Sequence, residues 1–211
     1  MKTYVILISG RGSNMQALVD AGLPGQCAAV ISNRPAAAGL EWAAARGVPT
    51  RIVDHQAYPS REAFDAALAA QIEQCGADLV LLAGFMRILS EAFVARFAGR
   101  LVNIHPSLLP AFPGLHTHEA ALRTGVRLHG CTVHFVTPTL DCGPIIAQAA
   151  VPVLAGDTAD LLAARVLAQE HLVYPLAARG LLEDRCRLVG GRVVWQADAT
   201  PAMAALRVPS A

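Results

Sequence analysis

Asn103 and His105 are spaced so that one reaction could use both side chains. They end an apolar run, and in an extended segment residues two apart project to the same side. An amide can stabilise an oxyanion there while an imidazole moves a proton. Asp141, in a later turn-rich loop, would favour the charged imidazole if it lay beside His105. In the alternative, Asn103 and Asp141 satisfy loop backbone groups and His105 packs.

A glycine-rich turn precedes the first predicted helix. The segment SGRGSN (9–14) presents backbone N–H groups and a helix N-terminus, which together favour an anion. A dinucleotide fingerprint would need glycine where Met15 stands, and a P-loop would need Gly-Lys-Ser/Thr. The turn therefore predicts a site for a single phosphate, with Arg11 as an added charge. A tight turn in which Ser13 or Asn14 only caps the helix is the alternative.

The remaining histidines and the cysteines do not form a recognisable metal site. His116, His118, His129 and His134 lack a Cys or an acid that would complete zinc-like spacing, so no metal is predicted. We interpret them as structural or loop-closing residues whose titration would make this region sensitive to pH. The five cysteines are scattered and include no Cys-x-x-Cys, which predicts buried reduced thiols and a cytoplasmic compartment.

Short apolar runs alternate with helical patterns through the first half of the chain. Strands buried on both faces and separated by helices predict an α/β fold with a doubly wound, mostly parallel sheet and right-handed crossovers. The predicted strands are 3–8, 28–31, 50–53, 79–83 and 100–104, and the predicted helices are 14–21, 36–46 and 60–74, the last capped by Ser60. Residues 105–129 predict a long mobile loop. Two strands (131–136 and 145–151), a long helix capped by Asp157 and a hairpin (187–195) follow.

Length and charge limit the classes of protein that fit. The 211 residues are 54% hydrophobic, which supports a large core and excludes global disorder. With 17 basic and 16 acidic residues the formal net charge is +1, so neither a nucleic acid nor a membrane is a predicted partner. No apolar run reaches the ~20 residues of a membrane span, and no secretory signal is recognised. We expect a single domain over residues 1–196 and a loosely ordered tail over 197–211.

Several blocks of sequence, taken in order, resemble one family. They are ISGRGSNMQ (8–16), LAGFMRILS (82–90), NIHPSLLP (103–110), FPGLHTH (112–118), VHFVT (133–137), LDCGP (140–144) and QEH (169–171) with Tyr174-Pro175. On these blocks the chain resembles the phosphoribosylglycinamide formyltransferases. The resemblance implies a Rossmann-like formyltransferase fold. It also implies transfer of a formyl group from the co-substrate 10-formyltetrahydrofolate to the primary amine of glycinamide ribonucleotide, in purine synthesis.

The resemblance also assigns roles to individual residues. The family's catalytic asparagine, histidine and aspartate fall on Asn103, His105 and Asp141. Its substrate phosphate and nucleotide site falls on Gly12, Ser13, Asn14, Gln169 and Glu170. Its folate site falls on Arg61, Met86, Arg87, Ile88, Leu89, Thr137, Pro138, Thr139, Leu140 and Asp141. The N-terminal half would thus bind the phosphate, and the C-terminal half would bind the folate and carry catalysis. Without the family, Glu170 would be interpreted as a solvated helix-face acid and Arg61 as a surface residue.

Four residues depart from the family pattern, and three rival functions remain as alternatives. Pro138-Thr139 stands where acidic residues are usual, Ala111 where a polar residue is common, and Arg11 where a small one is common.

Methionyl-tRNA formyltransferase normally adds an RNA-binding domain, for which we expect little room here. Formyltetrahydrofolate deformylase carries an extra N-terminal domain, whereas we expect this chain to begin with the first strand. A non-catalytic folate-binding module would not need Asn103, His105 and Asp141 together. A homodimer is left open.

Overall fold

The computed structural model describes residues 1–196, so the predicted tail over 197–211 lies outside the described residues. Two compact units are present. Unit 1 comprises Met1–Asn103 and Phe135–Pro138, and unit 2 comprises Ile104–His134 and the residues from Thr139 onward. The single domain expected over 1–196 stays a prediction. Within the described residues, no helix is both long and apolar enough to cross a membrane.

Unit 1 is built on parallel strands, as predicted. The strands are β1 (Thr3–Ile8), β2 (Gln26–Ser32), β3 (Thr50–Ile52), β4 (Leu79–Leu82) and β5 (Leu101–His105). Parallel pairing joins β1 to β2 and β4, β2 to β3, and β4 to β5. The residues of β4 are all buried, which is why this strand appears in the sequence as a continuous apolar run. The larger sheet has seven strands in the order β3-β2-β1-β4-β5-β6-β7, where β6 is Leu128–Phe135 and β7 is Ile145–Pro152. This order confirms the predicted α/β class.

Four helices of unit 1 connect these strands. They are α1 (Ser13–Asp20), α2 (Ala38–Ala44), α3 (Arg61–Gln74) and α4 (Glu91–Arg96). Ser60 caps α3 by accepting from the Ala63 N–H, and Phe64, Leu68 and Ile72 are buried, as their spacing predicts. The short helix α4 was not predicted, because its six residues are too few to establish helical periodicity.

Unit 2 contains β6 (Leu128–Phe135, whose last residue belongs to unit 1) and β7 (Ile145–Pro152), paired antiparallel. The helix α6 (Ala159–Leu182) follows, and then the predicted hairpin of β8 (Cys186–Val189) and β9 (Arg192–Trp195). The prediction that Asp157 caps α6 is wrong. Thr158 accepts from the Leu161 N–H instead, while Asp157 forms a bidentate ion pair with Arg165.

The prediction of one long loop over 105–129 is also wrong. The helix α5 (Thr117–Thr124) lies inside that range, between a left-handed His116 and a left-handed Gly125. It was missed because its buried face consists of only Thr117 and Ala121, one turn apart and both small, which gives little hydrophobic periodicity. The Thr117 hydroxyl donates to the Pro106 carbonyl at 2.7 Å, which ties the start of α5 to the segment that follows β5.

The cysteines are only partly as predicted. All five are free thiols, but Cys131 and Cys186 alone are buried, Cys27 and Cys75 are half-buried, and Cys142 is exposed. Cys142 is exposed because it lies in the loop between β6 and β7 instead of in a strand. Burial raises the pKa of Cys27 to about 12, although a hydrogen bond with the Ala29 backbone acts to lower it, so this thiol stays protonated at neutral pH.

Candidate active site

The glycine-rich turn lies at the carboxyl end of β1, where the strand order of the parallel sheet reverses. Open α/β sheets bind ligands at this switch point. Gly12 is the N-cap of α1 with φ 73°, a conformation that favours glycine, and no side chain caps the helix. Ser13 and Asn14 therefore belong to the first turn of α1 and are not its cap, contrary to the alternative interpretation. The first amides of α1 are available to an anion.

A cleft of about 290 Å³ opens over this turn. Its lining includes Arg11, Gly12, Ser13, Asn14, Arg34 and Met86, and none of the described residues that line it is acidic. Arg11 and Arg34 are exposed, and within residues 1–196 neither guanidinium group forms an ion pair. The cleft thus combines helix amides with two positive charges, an arrangement that suits a phosphate.

Arg34 was missed as a site residue from sequence. The segment Ser32-Asn33-Arg34 follows the second strand and carries no acid of the kind that a dinucleotide fold would place there. Its position at the carboxyl end of β2, beside β1 in the parallel sheet, is the signal that could have identified it. The Ser32 hydroxyl accepts from the Arg34 N–H at 3.0 Å, which fixes the backbone of this turn.

His105 and Asp141 form the centre of the site in unit 2. His105 ends β5, and its Nδ1 lies 3.4 Å from Asp141 Oδ2. The Gly114 N–H donates to the same carboxylate oxygen at 2.8 Å. On the other side of the ring, Nε2 lies 3.0 Å from the Phe112 carbonyl oxygen. Both ring nitrogens therefore face oxygen acceptors, an environment that a doubly protonated imidazole satisfies.

His134 is a second imidazole on the same carboxylate. Its Nε2 lies 3.8 Å from Asp141 Oδ1, and 2% of its side chain is exposed. Sequence reasoning grouped it with the structural histidines, because nothing local relates a residue in β6 to a loop aspartate. The signal that could have identified it is the β6–β7 pairing, in which His134 is the residue nearest the connecting loop.

Asn103 occupies the carboxyl end of the parallel strands. It is half-buried in β5 and pairs with Leu82, the last residue of β4. Because β5 is extended over Leu101–His105, Asn103 and His105 project to the same side of this strand, as predicted. An amide and an imidazole on one side of a strand can act on the same carbonyl oxygen.

The formyl transferase family model matches residues 2–178. The chain belongs to the formyl transferase family. It is 52% identical over 188 residues to phosphoribosylglycinamide formyltransferase of Escherichia coli (strain K12), a match that covers 87% of this chain and 89% of that protein. It is 48% identical over 195 residues, 90% of the chain, to the trifunctional purine biosynthetic protein adenosine-3 of Bos taurus, of which it spans 19%.

A solved structure gives the same fold. The crystal structure of glycinamide ribonucleotide transformylase 1 from Symbiobacterium toebii matches with a TM-score of 0.89 at 52% identity. The match covers 92% of this formyl transferase chain and 94% of that chain. The doubly wound sheet is therefore the formyltransferase fold.

Glu170 of this formyl transferase chain is not the solvated acid that a helix face alone suggests. It lies on the buried side of α6 with 7% of its surface exposed, while its neighbour Gln169 is half-buried. Burial raises the pKa of the Cys131 thiol to about 12, and the nearby Glu170 charge contributes in the same direction. A buried carboxylate at this position is a feature of a site more often than of a packed helix.

The residues of unit 1 that are expected to bind folate divide into exposed and packed side chains. Met86 and Ile88 are 63% and 70% exposed, so both apolar side chains are accessible to a ligand. Leu89 packs against the core, and the Arg87 guanidinium lies 5.8 Å from the centre of the Phe64 ring. Arg61 is exposed, with its Nε 3.3 Å from Glu62 Oε1.

The remaining folate residues lie in the turn-rich loop. Thr137 is half-buried, and Pro138, Thr139 and Leu140 are exposed. Asp141, which follows them, has φ 51°, a left-handed conformation that short polar residues tolerate. The loop therefore presents its exposed residues directly before the aspartate that contacts His105.

Two further histidines of unit 2 contact each other. His129 Nε2 lies 3.2 Å from His118 Nδ1, and His129 is 1% exposed. Burial, together with the neighbouring His118, lowers the pKa of His129 to about 4, and burial also lowers the pKa of His118. Among residues 1–196, no three His, Cys, Asp or Glu side chains are grouped to hold a metal ion. The absence of a metal from the reaction stays a prediction.

Proposed function

We propose that this protein transfers the formyl group of 10-formyltetrahydrofolate to the primary amine of glycinamide ribonucleotide. The observation that carries the proposal is the buried contact between His105 Nδ1 and Asp141 Oδ2, with His105 two residues after Asn103 on β5. A module that only bound folate or phosphate would not need these three groups. The relationship to phosphoribosylglycinamide formyltransferases supports the choice of substrates.

The nucleotide would bind through its phosphate at the glycine-rich turn. Gly12, Ser13 and Asn14 would supply donors from the first turn of α1, and Arg11 and Arg34 would add charge. Gln169 and Glu170 would bind the nucleotide's sugar and amide portion. A buried carboxylate is suited to accepting from hydroxyl groups, because water does not compete for it.

The folate would bind against exposed apolar surface and backbone groups. Met86, Ile88 and Leu140 would contact its flat heterocycle, and the backbone of Arg87, Leu89, Thr137, Pro138 and Thr139 would supply hydrogen bonds. Arg61, exposed at the start of α3, would meet the anionic tail of the folate.

The chemistry requires no covalent bond to the enzyme. The neutral substrate amine forms a C–N bond to the formyl carbon, the bond from that carbon to N10 of the folate breaks, and one proton moves from the amine to N10. Asn103 and protonated His105 would stabilise the negative oxygen formed on the way. Asp141 would keep His105 charged and oriented. Positioning of two bound substrates contributes several kcal/mol, on the order of 7–11 at best.

The reaction so written uses no metal ion, nucleic acid or membrane surface. A cytoplasmic location, a homodimer and the spectator role of the cysteines stay predictions. The departure at Pro138-Thr139 concerns exposed residues, so it would change the local charge of the loop more than its backbone contacts.

A single set of incubations tests the proposal. The protein is mixed with 10-formyltetrahydrofolate, with and without glycinamide ribonucleotide, and the loss of the formyl group is followed. Loss only in the presence of the nucleotide is the expected result. Loss without an acceptor would instead identify a deformylase, and no loss in either mixture would leave a binding module.

A further inference from the structure

Ser9 makes a pair of hydrogen bonds that the proposed reaction does not use. Its hydroxyl donates to Asn33 Oδ1 at 2.6 Å and accepts from the Met86 N–H at 2.8 Å. Ser9 is 3% exposed and Asn33 is 1% exposed. Breaking either bond would leave a buried polar group without a partner, which costs more than the bond itself contributes.

The position of Ser9 gives these bonds their significance. Ser9 is the first residue of the glycine-rich turn, and Met86 is the first of the four consecutive residues expected to bind folate, 86–89. These residues have no regular secondary structure, so no ladder of backbone hydrogen bonds fixes the Met86 amide. The Ser9 hydroxyl supplies that acceptor from the residue that follows β1, the strand beside β4.

Asn33 fixes the direction of the Ser9 hydroxyl. Because Asn33 Oδ1 can only accept, the Ser9 proton points to it and an oxygen lone pair is left for Met86. Asn33 is itself held by His55. The ring atom Nδ1 of His55 lies 2.8 Å from the backbone carbonyl oxygen of Asn33, and the backbone N–H of His55 donates to the same oxygen at 3.3 Å. The hydrogen bonds that link Met86 through Ser9 to Asn33 are therefore anchored to the backbone at the carboxyl end of β2.

The far end of the 86–89 segment is held in a similar way. Asp65, which is 3% exposed, accepts from the Ser90 N–H through Oδ2 at 2.6 Å. Between these two anchors, the side chains of Met86 and Ile88 remain exposed. Buried groups thus fix the backbone of the segment at both ends, while the side chains of Met86 and Ile88 stay accessible to a ligand.

We propose that Ser9 is a positioning residue for the transfer reaction. Through the Met86 amide and Asn33, its hydroxyl sets the folate-binding segment at a fixed distance from the glycine-rich turn that would hold the nucleotide phosphate. This rests on the proposed function. An error of about 1 Å in the placement of a reacting group can cost about a hundredfold in rate, so one hydroxyl is sufficient to matter.

The test compares Ser9→Ala, Ser9→Thr and Asn33→Ala with the unaltered protein, using steady-state kinetics with each substrate varied in turn. For S9A we expect KM for 10-formyltetrahydrofolate to rise about tenfold and kcat to fall about tenfold or more, with a much smaller change in KM for glycinamide ribonucleotide. S9T retains the hydroxyl and should recover most of both losses. N33A should change the same two parameters in the same direction by less, because Ser9 can still accept from Met86. The S9A/N33A double variant should resemble S9A.

Thr158→Ala is the matched control, since it removes another hydroxyl that accepts a backbone N–H, at the exposed start of α6. It should lower Tm without changing either KM. If S9A lowers Tm in the same way and leaves the ratio of the two KM values unchanged, the role of Ser9 is structural and the proposal is wrong. If S9A does not fold, the ratio of the two KM values in N33A distinguishes a positioning role from a structural one. Absence of transfer by the unaltered protein would contradict the proposed function instead.

Discussion

Asp141 Oδ2 lies 3.4 Å from His105 Nδ1, and only 8% of the aspartate side chain and 6% of the histidine side chain are exposed. The aspartate reaches this position from a left-handed backbone conformation, φ 51°, and its oxygen also accepts from the Gly114 N–H. The contact therefore depends on the folding of two separate loops. Its consequence is an imidazole held in a fixed orientation at the end of β5.

Replacing Asp141 with Asn should lower kcat on the order of a hundredfold or more, because the isosteric amide cannot stabilise the imidazolium. KM for both substrates should change little, since the side-chain volume and an oxygen acceptor for the Gly114 N–H are retained. Steady-state kinetics checks this. Asp20→Asn is the control, because Asp20 pairs with Arg46 at the exposed surface, 3.7 Å away. Near-normal turnover in D141N would remove Asp141 from the mechanism.

The parallel half of the fold could be predicted from sequence because burial on both faces makes its strands continuously apolar. Strand β1 was predicted with its exact bounds, and the Ser60 cap of α3 is confirmed. Elements with weak apolar periodicity were not predicted. The helix α5 buries only two small residues, and α4 is short, so neither produces a pattern that a window along the chain can detect.

The site was predictable where its residues are close in sequence. Asn103 and His105 on one strand, and the turn before α1, are local patterns that elementary geometry interprets. Arg34 and His134 come to the site only through strand pairing, β2 beside β1 and β6 beside β7. No sequence spacing encodes those neighbours, and the assignment of Asp141 to His105 needed the family resemblance for the same reason.

Arg34→Ala should raise KM for glycinamide ribonucleotide about tenfold, since a charge-assisted hydrogen bond to a phosphate contributes roughly 1.5–3 kcal/mol. KM for the folate should be unchanged, and the effect should shrink as salt is added. Arg46→Ala is the matched control, because Arg46 is an exposed arginine whose guanidinium stacks on Trp42. Equal effects of both variants, or a rise in KM for the folate alone, would contradict a phosphate role for Arg34.

The burial of His129, next to His118, should make stability fall in weak acid. The folded pKa of His129 is about 4, below the ordinary value of 6.5, so the unfolded chain binds this proton first. The contribution of this group to the free energy of unfolding is fully present above about pH 6.5. It is lost as the pH falls from about 6.5 to about 4, at up to about 1.4 kcal/mol per pH unit. Urea unfolding across that interval measures the slope.

His129→Gln removes this titration and should flatten the slope, because glutamine stays neutral through the interval. His116→Gln is the control, since 80% of the His116 side chain is exposed. An unchanged slope in H129Q would show that other groups control the acid sensitivity. A flattened slope in H116Q as well would mean that the loss is not specific to the buried pair.

Gly39→Ala should weaken nucleotide binding by pressing on the glycine-rich turn. Gly39 lies at the start of α2 and donates its N–H to the Gly10 carbonyl at 3.1 Å. A Cβ at this position would lie 2.6 Å from Ile8 Cδ1, 3.1 Å from the Gly10 oxygen and 3.2 Å from the Arg11 oxygen. The isoleucine methyl can move, but the two carbonyl groups belong to the turn itself. We expect KM for glycinamide ribonucleotide to rise about tenfold and the free energy of unfolding to fall by about 1–3 kcal/mol.

Gly47→Ala separates the two effects of the Gly39 substitution. Gly47 has φ 72°, and a Cβ there would meet nothing within 4 Å, so alanine strains the backbone without touching the turn. That variant should lose about 1 kcal/mol of stability and keep its KM for the nucleotide. If G39A and G47A lower stability alike and neither changes KM, the close approach of α2 to the turn does not shape the phosphate site. A rise in KM confined to G39A shows that the start of α2 fixes the backbone that receives the phosphate.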